Sequence, residues 1–209
     1  MQTDIITKYF PDLSDTQKQQ FEKLGDLYKD WNGKINVISR KDIDNIYERH
    51  ILHSLSIAAF LGNIKDNTTF VDVGTGGGFP AVPLAIMYPA AKFHLVDRIA
   101  KKLKVAEEIS REIGLQNITL QHGDMGECHE RFDFALSRAA MRLDTLVRIV
   151  RRNIAPASRN KYRNGLICLK GGDITEEAKD VSFPVIEYPV NEFFNEDFFD
   201  TKKIIYVPM

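Results

Sequence analysis

The chain has 209 residues, with 28 Lys and Arg against 29 Asp and Glu, and its formal net charge of −1 excludes a uniformly basic, nucleic-acid-coating domain. Its length supports one principal core burying about 70% of the unfolded surface, and its two cysteines, Cys128 and Cys168, lie far apart without disulfide-framework or metal spacing. No charged segment followed by an apolar run opens the chain, and no apolar run approaches the ~18 residues that span a bilayer, so a soluble, cytoplasmic monomer with reduced thiols and no membrane partner is expected.

Residues 1–62 read as a helical extension packed on a core formed by residues 63–209. Ser14 followed by Asp15 has the form of a helix N-cap, and Phe21, Leu24, Leu27, Tyr28 and Trp31 make an apolar stripe that Asn32-Gly33 ends. A second helix is predicted over about Asp42–Leu61, with Ile43, Ile46, Tyr47, Ile51, Leu55 and Ala58 on one side, followed by a polar link at Gly62–Asn67. From residue 69 the pattern alternates. Strands are predicted at 69–73, 92–96, 117–121, 132–136 and 165–169, with helices at about 79–88, 100–113 and 142–154. Asn153–Asn164 is the expected long loop. Val185–Val190 and Ile204–Val207 follow as two strands without a long helix between them. That order implies an α/β fold: a doubly wound, mostly parallel Rossmann-like sheet with an antiparallel edge, as in class I methyltransferases.

The sharpest local signal is Asp72-Val73-Gly74-Thr75-Gly76-Gly77-Gly78-Phe79, where a strand runs into a glycine turn before a helix. A dinucleotide fingerprint needs glycine or alanine at its sixth position, which here is Phe79. Asp72 beside the loop repels pyrophosphate and suits an ammonium group or a water network, which favours S-adenosylmethionine over NAD. Asp97 ends the second strand, 25 residues after Asp72, where a carboxylate can accept ribose hydroxyls. After the third strand, Gly123-Asp124-Met125-Gly126 offers backbone N–H groups and an apolar side chain to an adenine.

Charge is distributed unevenly. Between Arg138 and Arg163, seven Arg and one Lys face the single Asp144, whereas Gly171–Asp200 holds nine carboxylates and only Lys179. Arg138 and Lys170 end strands four and five, and with Arg142, Lys101, Lys102 and Lys104 they suggest a cationic ring that meets RNA phosphate around the cofactor mouth. Strand four ends in Ser137-Arg138-Ala139, without an Asn-Pro-Pro-aromatic run for an exocyclic amine and without a cysteine nucleophile. An acceptor with an exposed lone pair, such as guanine N7, needs neither, so no catalytic base is expected and Arg138 and Lys170 serve positioning. His50 and His53 stand three residues apart, but no carboxylate or thiolate completes a site, so no metal is expected.

Trp31-Asn32-x3-Asn36, Arg49-His50-Ile51-Leu52-x-Ser54-Leu55, the glycine run through Pro80, Ser137-Arg138-Ala139 and Leu169-Lys170-Gly171 occur in an order that resembles the glucose-inhibited division protein B family. The resemblance covers about residues 20–172. It implies an S-adenosylmethionine-dependent enzyme methylating guanine N7 in 16S ribosomal RNA, naked or within the small ribosomal subunit. It also implies that Gly74, Phe79, the backbone of Met125-Gly126 and Arg138 occupy cofactor-contact positions, beside Asp72, Thr75, Gly76, Gly78 and Asp97. The chain departs from that family's pattern at His53, where Asp is usual, and at Asp124, Gly126 and Glu127. Two alternatives stay open from the residues themselves: a small-molecule methyltransferase, and a non-catalytic nucleotide- or RNA-binding module of the same fold.

Overall fold

The computed structural model describes residues 3–39, 41–138 and 141–209. Seven strands form one sheet in the order β3-β2-β1-β4-β5-β7-β6, with β1 at Thr69–Val73, β2 at Lys92–Asp97, β3 at Ile118–His122, β4 at Phe134–Ser137, β5 at Gly165–Gly171, β6 at Ile186–Pro189 and β7 at Lys202–Pro208. The first five pair in parallel, and β7 lies antiparallel between β5 and β6. Val, Leu and Ile can fill both faces of the central strands because helices cover both sides.

Side-chain alternation divides the core. Phe70, Phe93, Phe134, Leu95 and Leu136 point to one face, where they meet the N-terminal helices, α4 (Ala81–Met87) and α5 (Ala100–Glu112). Their neighbours Val71, Val73, Val96 and Ala135 point to the other, against Leu143, Leu146, Val147 and Val150 of α6 (Leu143–Val150). Phe70 anchors the first face, its ring 4.7 Å from that of Phe93 and 5.5 Å from that of Phe134 across neighbouring strands.

The N-terminal segment differs from its reading in three places. A short helix, α1 (Asp4–Tyr9), precedes the capped one. The next, α2 (Asp15–Lys34), begins on a reciprocal Ser14–Gln17 capping box but passes through Gly33 to Lys34. The predicted second helix is composite: a 3-10 turn at Ile43–Asn45, a π-helical segment at Tyr47–Leu52, then α3 (His53–Leu61). Tyr47 sits at that irregularity, its hydroxyl accepting from Gly25 N (3.2 Å) and donating to Phe21 O (2.9 Å).

Strand four starts two residues later than predicted. Phe132 forms an isolated parallel bridge with Ile154, and Asp133 turns its carboxylate to Thr69 N (2.9 Å), capping the start of β1 rather than entering β4. The helix predicted over 142–154 ends at Val150, with a 3-10 turn at Arg151–Asn153. Among the described residues no helix is long and apolar enough to cross a membrane.

Candidate active site

Three restraints hold the glycine loop. Gly74 N and Thr75 N donate to Val96 O at 2.9 and 3.2 Å, joining the loop to the end of β2. Gly76 N donates to Asp97 Oδ2 at 2.7 Å. Beneath the loop, the buried Tyr28 hydroxyl of α2 donates to Gly77 O at 2.7 Å. The N-terminal extension therefore shapes the loop directly, and Asn32 adds to this by accepting from Val37 N and Ile38 N at 2.8 and 2.9 Å. That turn places Val37 so close to Gly77 that a Cβ there would lie 2.8 Å from Val37 Cβ.

Asp72, only 1% exposed, lies below the loop rather than in an open cavity. Its Oδ2 accepts from Thr75 Oγ1 (2.7 Å) and Ala81 N (3.3 Å), while Oδ1 has no hydrogen-bond partner among the described residues. Burial pushes its pKa up to about 7, against those hydrogen bonds and the nearby Arg138. Thr75, Gly78 and Phe79 are also buried, so these predicted contact residues form the loop's underside. Phe79 stacks within a cluster in which its ring centroid is 4.4 Å from Tyr28, 5.5 Å from His50 and 4.7 Å from the Arg138 guanidinium. Burial lowers the pKa of Arg138 to about 10, which keeps it charged at neutral pH, and Asp72 opposes that shift. His50 is driven down to about 3 by burial and by Arg138, so its imidazole is neutral.

Above the loop, an open cavity of about 230 Å³ lies at the C-terminal ends of β1 and β2. Gly74 and Asp97 line it on the loop side, and Gly123, Asp124 and Met125 on the β3 side. This is where an open α/β sheet binds its ligands. A second cavity of about 340 Å³ lies at the opposite strand ends, around Thr69, Lys92 and Ile118, away from the loop. Asp97 fits a ribose: Oδ1 accepts from Ile99 N at 2.8 Å and Oδ2 from Gly76 N, and each oxygen keeps a second lone pair for a hydroxyl. The cavity thus brings together Gly74, Asp97 and Met125 of the predicted cofactor residues, and leaves Gly126 just outside it.

The sequence reading missed most of the apolar wall, formed by Val96, Ile99, Met141 and Ile149. Two of these stand apart from the core. Ile99 is 42% exposed, one of two large apolar side chains exposed among the described residues. Ile149 falls off the Leu143-Leu146-Val147-Val150 core stripe of its helix. Asp124, one of the departures, caps a 3-10 turn at Met125–Glu127 by accepting from Gly126 N at 2.8 Å, and pairs with Arg98. Those contacts lower its pKa. His53 packs edge-on against Phe198, 5.7 Å between centroids, and burial holds its pKa well below the ordinary histidine value.

The expected cationic ring divides into charges matched by carboxylates and charges that are not. Lys170 is turned inward, its side chain 9% exposed, donating to Glu177 Oε2 (2.5 Å) and Met141 O (2.8 Å). Arg142 pairs with Asp144 and Asp180, and Lys104 with Glu107 and Glu108. Lys101 and Lys102 begin α5 and have no carboxylate partner among the described residues. Ala139 lies outside those residues.

Asp97→Ala should weaken S-adenosylmethionine binding by about 1–3 kcal/mol, since a charged acceptor is lost from both the ligand and the loop. Calorimetric titration giving the wild-type dissociation constant would remove Asp97 from the site.

The chain is similar to known proteins along most of its length. A relative from Phocaeicola vulgatus, described as ribosomal RNA small subunit methyltransferase G, is 53% identical over 98% of this chain and 97% of its own length. One from Parabacteroides distasonis with the same description is 50% identical over 100% of this chain and 90% of its own. The fold is shared with a SAM-dependent methyltransferase from Aquifex aeolicus (TM-score 0.57, 16% identity, 81% of this chain and 98% of that one). It is shared too with an Aeropyrum pernix fibrillarin solved with natively bound S-adenosyl-L-methionine (TM-score 0.54, 16% identity, 73% of each chain). The family model for rRNA small subunit methyltransferase G matches residues 17–182, and with half of the residues identical over nearly the full length of its relatives, the chain belongs to that family.

Proposed function

We propose that this chain transfers a methyl group from S-adenosylmethionine to N7 of a guanine in 16S ribosomal RNA, acting on the small ribosomal subunit or its RNA. The observation that carries the reading is the convergence of Gly74, Asp97 and Met125 on one cavity, in a chain about half identical to methyltransferase G relatives along its length. When bound, the cofactor supplies an electrophilic sulfonium methyl. The protein's own work is placement. Asp97 holds ribose hydroxyls while bracing Gly76 and Ile99, and Ile99, Met125 and Ile149 give the adenine an apolar slot. Orientation of this kind is worth roughly 7–11 kcal/mol of barrier.

The chemistry of the buried thiols and histidines suits an acceptor that needs no deprotonation. Burial raises both thiols, Cys168 to about 12, so neither is poised as a thiolate nucleophile. His50 and His53 are held neutral by burial, and their elements pack them against aromatic rings. Single-turnover methyl transfer at saturating substrates should therefore vary less than about twofold between roughly pH 6 and 8.5, without the bell shape of acid–base catalysis. Asp72 lies beneath the loop, so its ionisation should register in cofactor affinity. A Cys128→Ser/Cys168→Ser protein should retain transfer. A steep limb near neutrality in the transfer step, or a covalent RNA adduct at either cysteine, would contradict N7 as the acceptor.

The direct test incubates the protein with tritiated S-adenosylmethionine and small ribosomal subunits, then digests the RNA to nucleosides. Label in 7-methylguanosine is the expected result. Label in another nucleoside, in a metabolite fraction, or nowhere would overturn the reading.

A further inference from the structure

The basic stretch between Arg138 and Arg163 is not uniform once its partners are known. Arg138 lies over Phe79, Arg142 is paired with two aspartates, and Arg159 with Asp133. Arg148, Arg151 and Arg152 are different. All three are exposed, and none has a carboxylate partner among the described residues. They come from the last turns of α6 and the 3-10 turn after it, and they converge on one cleft of about 340 Å³ with Asp124, Gly126 and Ile149. Asp124 adds no free negative charge to it, because one oxygen accepts from Gly126 N and the other is paired with Arg98. Arg152 also donates to Gly126 O at 2.7 Å, tying the arginine-bearing turn to the residue that follows Met125, which does line the cofactor cavity.

Asp124 and Ile149 line both hollows, so this cleft adjoins the cavity of Gly74, Asp97 and Met125. Lys101 and Lys102 follow Ile99, another residue of that cavity, in the first turn of α5. An open, concave, arginine-rich surface beside a site that acts on a polyanion has a direct physical use. Guanidinium groups bind phosphate oxygens in pairs and hold a backbone in register without reading its bases.

We propose that the Arg148–Arg151–Arg152 cleft seats the phosphodiester backbone of the RNA substrate, fixing the strand against the rim of the cofactor cavity. The proposal rests on the RNA-methylation reading for its ligand. It assigns substrate docking to the outer face of α6 in place of Lys170, Arg142 and Lys104, whose charges are already matched within the fold.

The test measures binding of a 16S rRNA transcript by fluorescence anisotropy between about 50 and 200 mM salt, where each lost phosphate contact lowers the log–log slope by nearly one. Arg148→Ala/Arg151→Ala spares Arg152, which also holds Gly126. It should bind the transcript about tenfold more weakly at the upper salt and flatten the slope by about 1–2 units. Its S-adenosylmethionine dissociation constant should stay within twofold of wild type. Arg148→Lys/Arg151→Lys should restore the slope, since the contact is chiefly one of charge. Three results would overturn the proposal: an unchanged slope, a slope that lysine does not restore, or a parallel loss of cofactor affinity that places the cleft within the cofactor site. The anisotropy signal does not depend on methyl transfer, so failure of the transfer assay and failure of the cleft are read separately.

Discussion

Gly78→Ala should destabilise the protein by about 2–4 kcal/mol and reduce cofactor binding below detection, because strain and overlap act together at that position. Gly78 has φ +101°, a conformation a Cβ disfavours, and the added methyl would lie 2.5 Å from Val82 Cγ2 and 3.2 Å from both Ala106 Cβ and Tyr28 Oη. Val82 and Ala106 are fully buried on α4 and α5, so relief requires the loop to lift. Lifting it breaks the 2.7 Å bond from Tyr28 to Gly77 O and displaces Gly76 N from Asp97. Gly76→Ala is the control. It has φ +58° and nothing within 4 Å of its Cβ, so strain alone, about 1–2 kcal/mol, should be its cost. Urea unfolding of the two variants beside calorimetric titration separates the effects. Equal midpoints for both would show that the space around Gly78 is not limiting.

The loop was legible in the sequence for the same reason that it is sensitive. A strand, closely spaced glycines and a helix start within ten residues leave few other readings, and Asp97 at the next strand end completes the cradle. The parallel strands were legible as short Val-, Leu- and Ile-rich runs. α1 was not, since six residues, three of them Asp, Thr and Lys, are too few to show a helical period, and only Ile6 is buried among them. The break before α3 was hidden because Ile43, Ile46, Tyr47 and Ile51 keep helical spacing through 3-10 and π turns. Tertiary contact decides there: the Tyr47 hydroxyl needs Gly25 N and Phe21 O, both on α2.

In the site, local motifs were visible and assembled walls were not. Ile99, Met141 and Ile149 belong to separate segments whose meeting is a product of the fold. The cations show the same limit. Lys170 and Glu177 are seven residues apart and read as one charge at a strand end and another in an acidic run, yet they bond at 2.5 Å and leave no free ammonium. Arg148, Arg151 and Arg152 stood in the same basic stretch, and what distinguishes them from Arg142 and Arg159 is the lack of carboxylates facing them among the described residues.

The buried titratable groups under the loop should oppose each other in acid stability, and Asp72→Asn should expose the opposition. Asp72 has its folded pKa raised from 3.8 to about 7, so the stability linked to its proton is fully present below the unfolded value and is lost as pH rises through about 7. His50 has its folded pKa lowered from 6.5 to about 3, so its contribution is present above 6.5 and is lost as pH falls toward 3. His53, lowered in the same direction by burial, adds to His50. Between about pH 4.5 and 6.5 the folded protein retains an extra proton on Asp72 while the unfolded chain gains protons on the histidines, so these slopes cancel in part. Asn at 72 can still accept from Thr75 Oγ1 and Ala81 N, the two bonds seen at Asp72, but it does not titrate. Relative to wild type, the variant should therefore gain stability on going from pH 4.5 to 7.5, by on the order of 2–4 kcal/mol. His50→Gln should show the reverse relative trend, and other titrating groups drop out of each difference. Urea midpoints at four pH values decide the matter: parallel curves for wild type and Asp72→Asn would mean that Asp72 is already ionised in the folded protein, held so by Arg138.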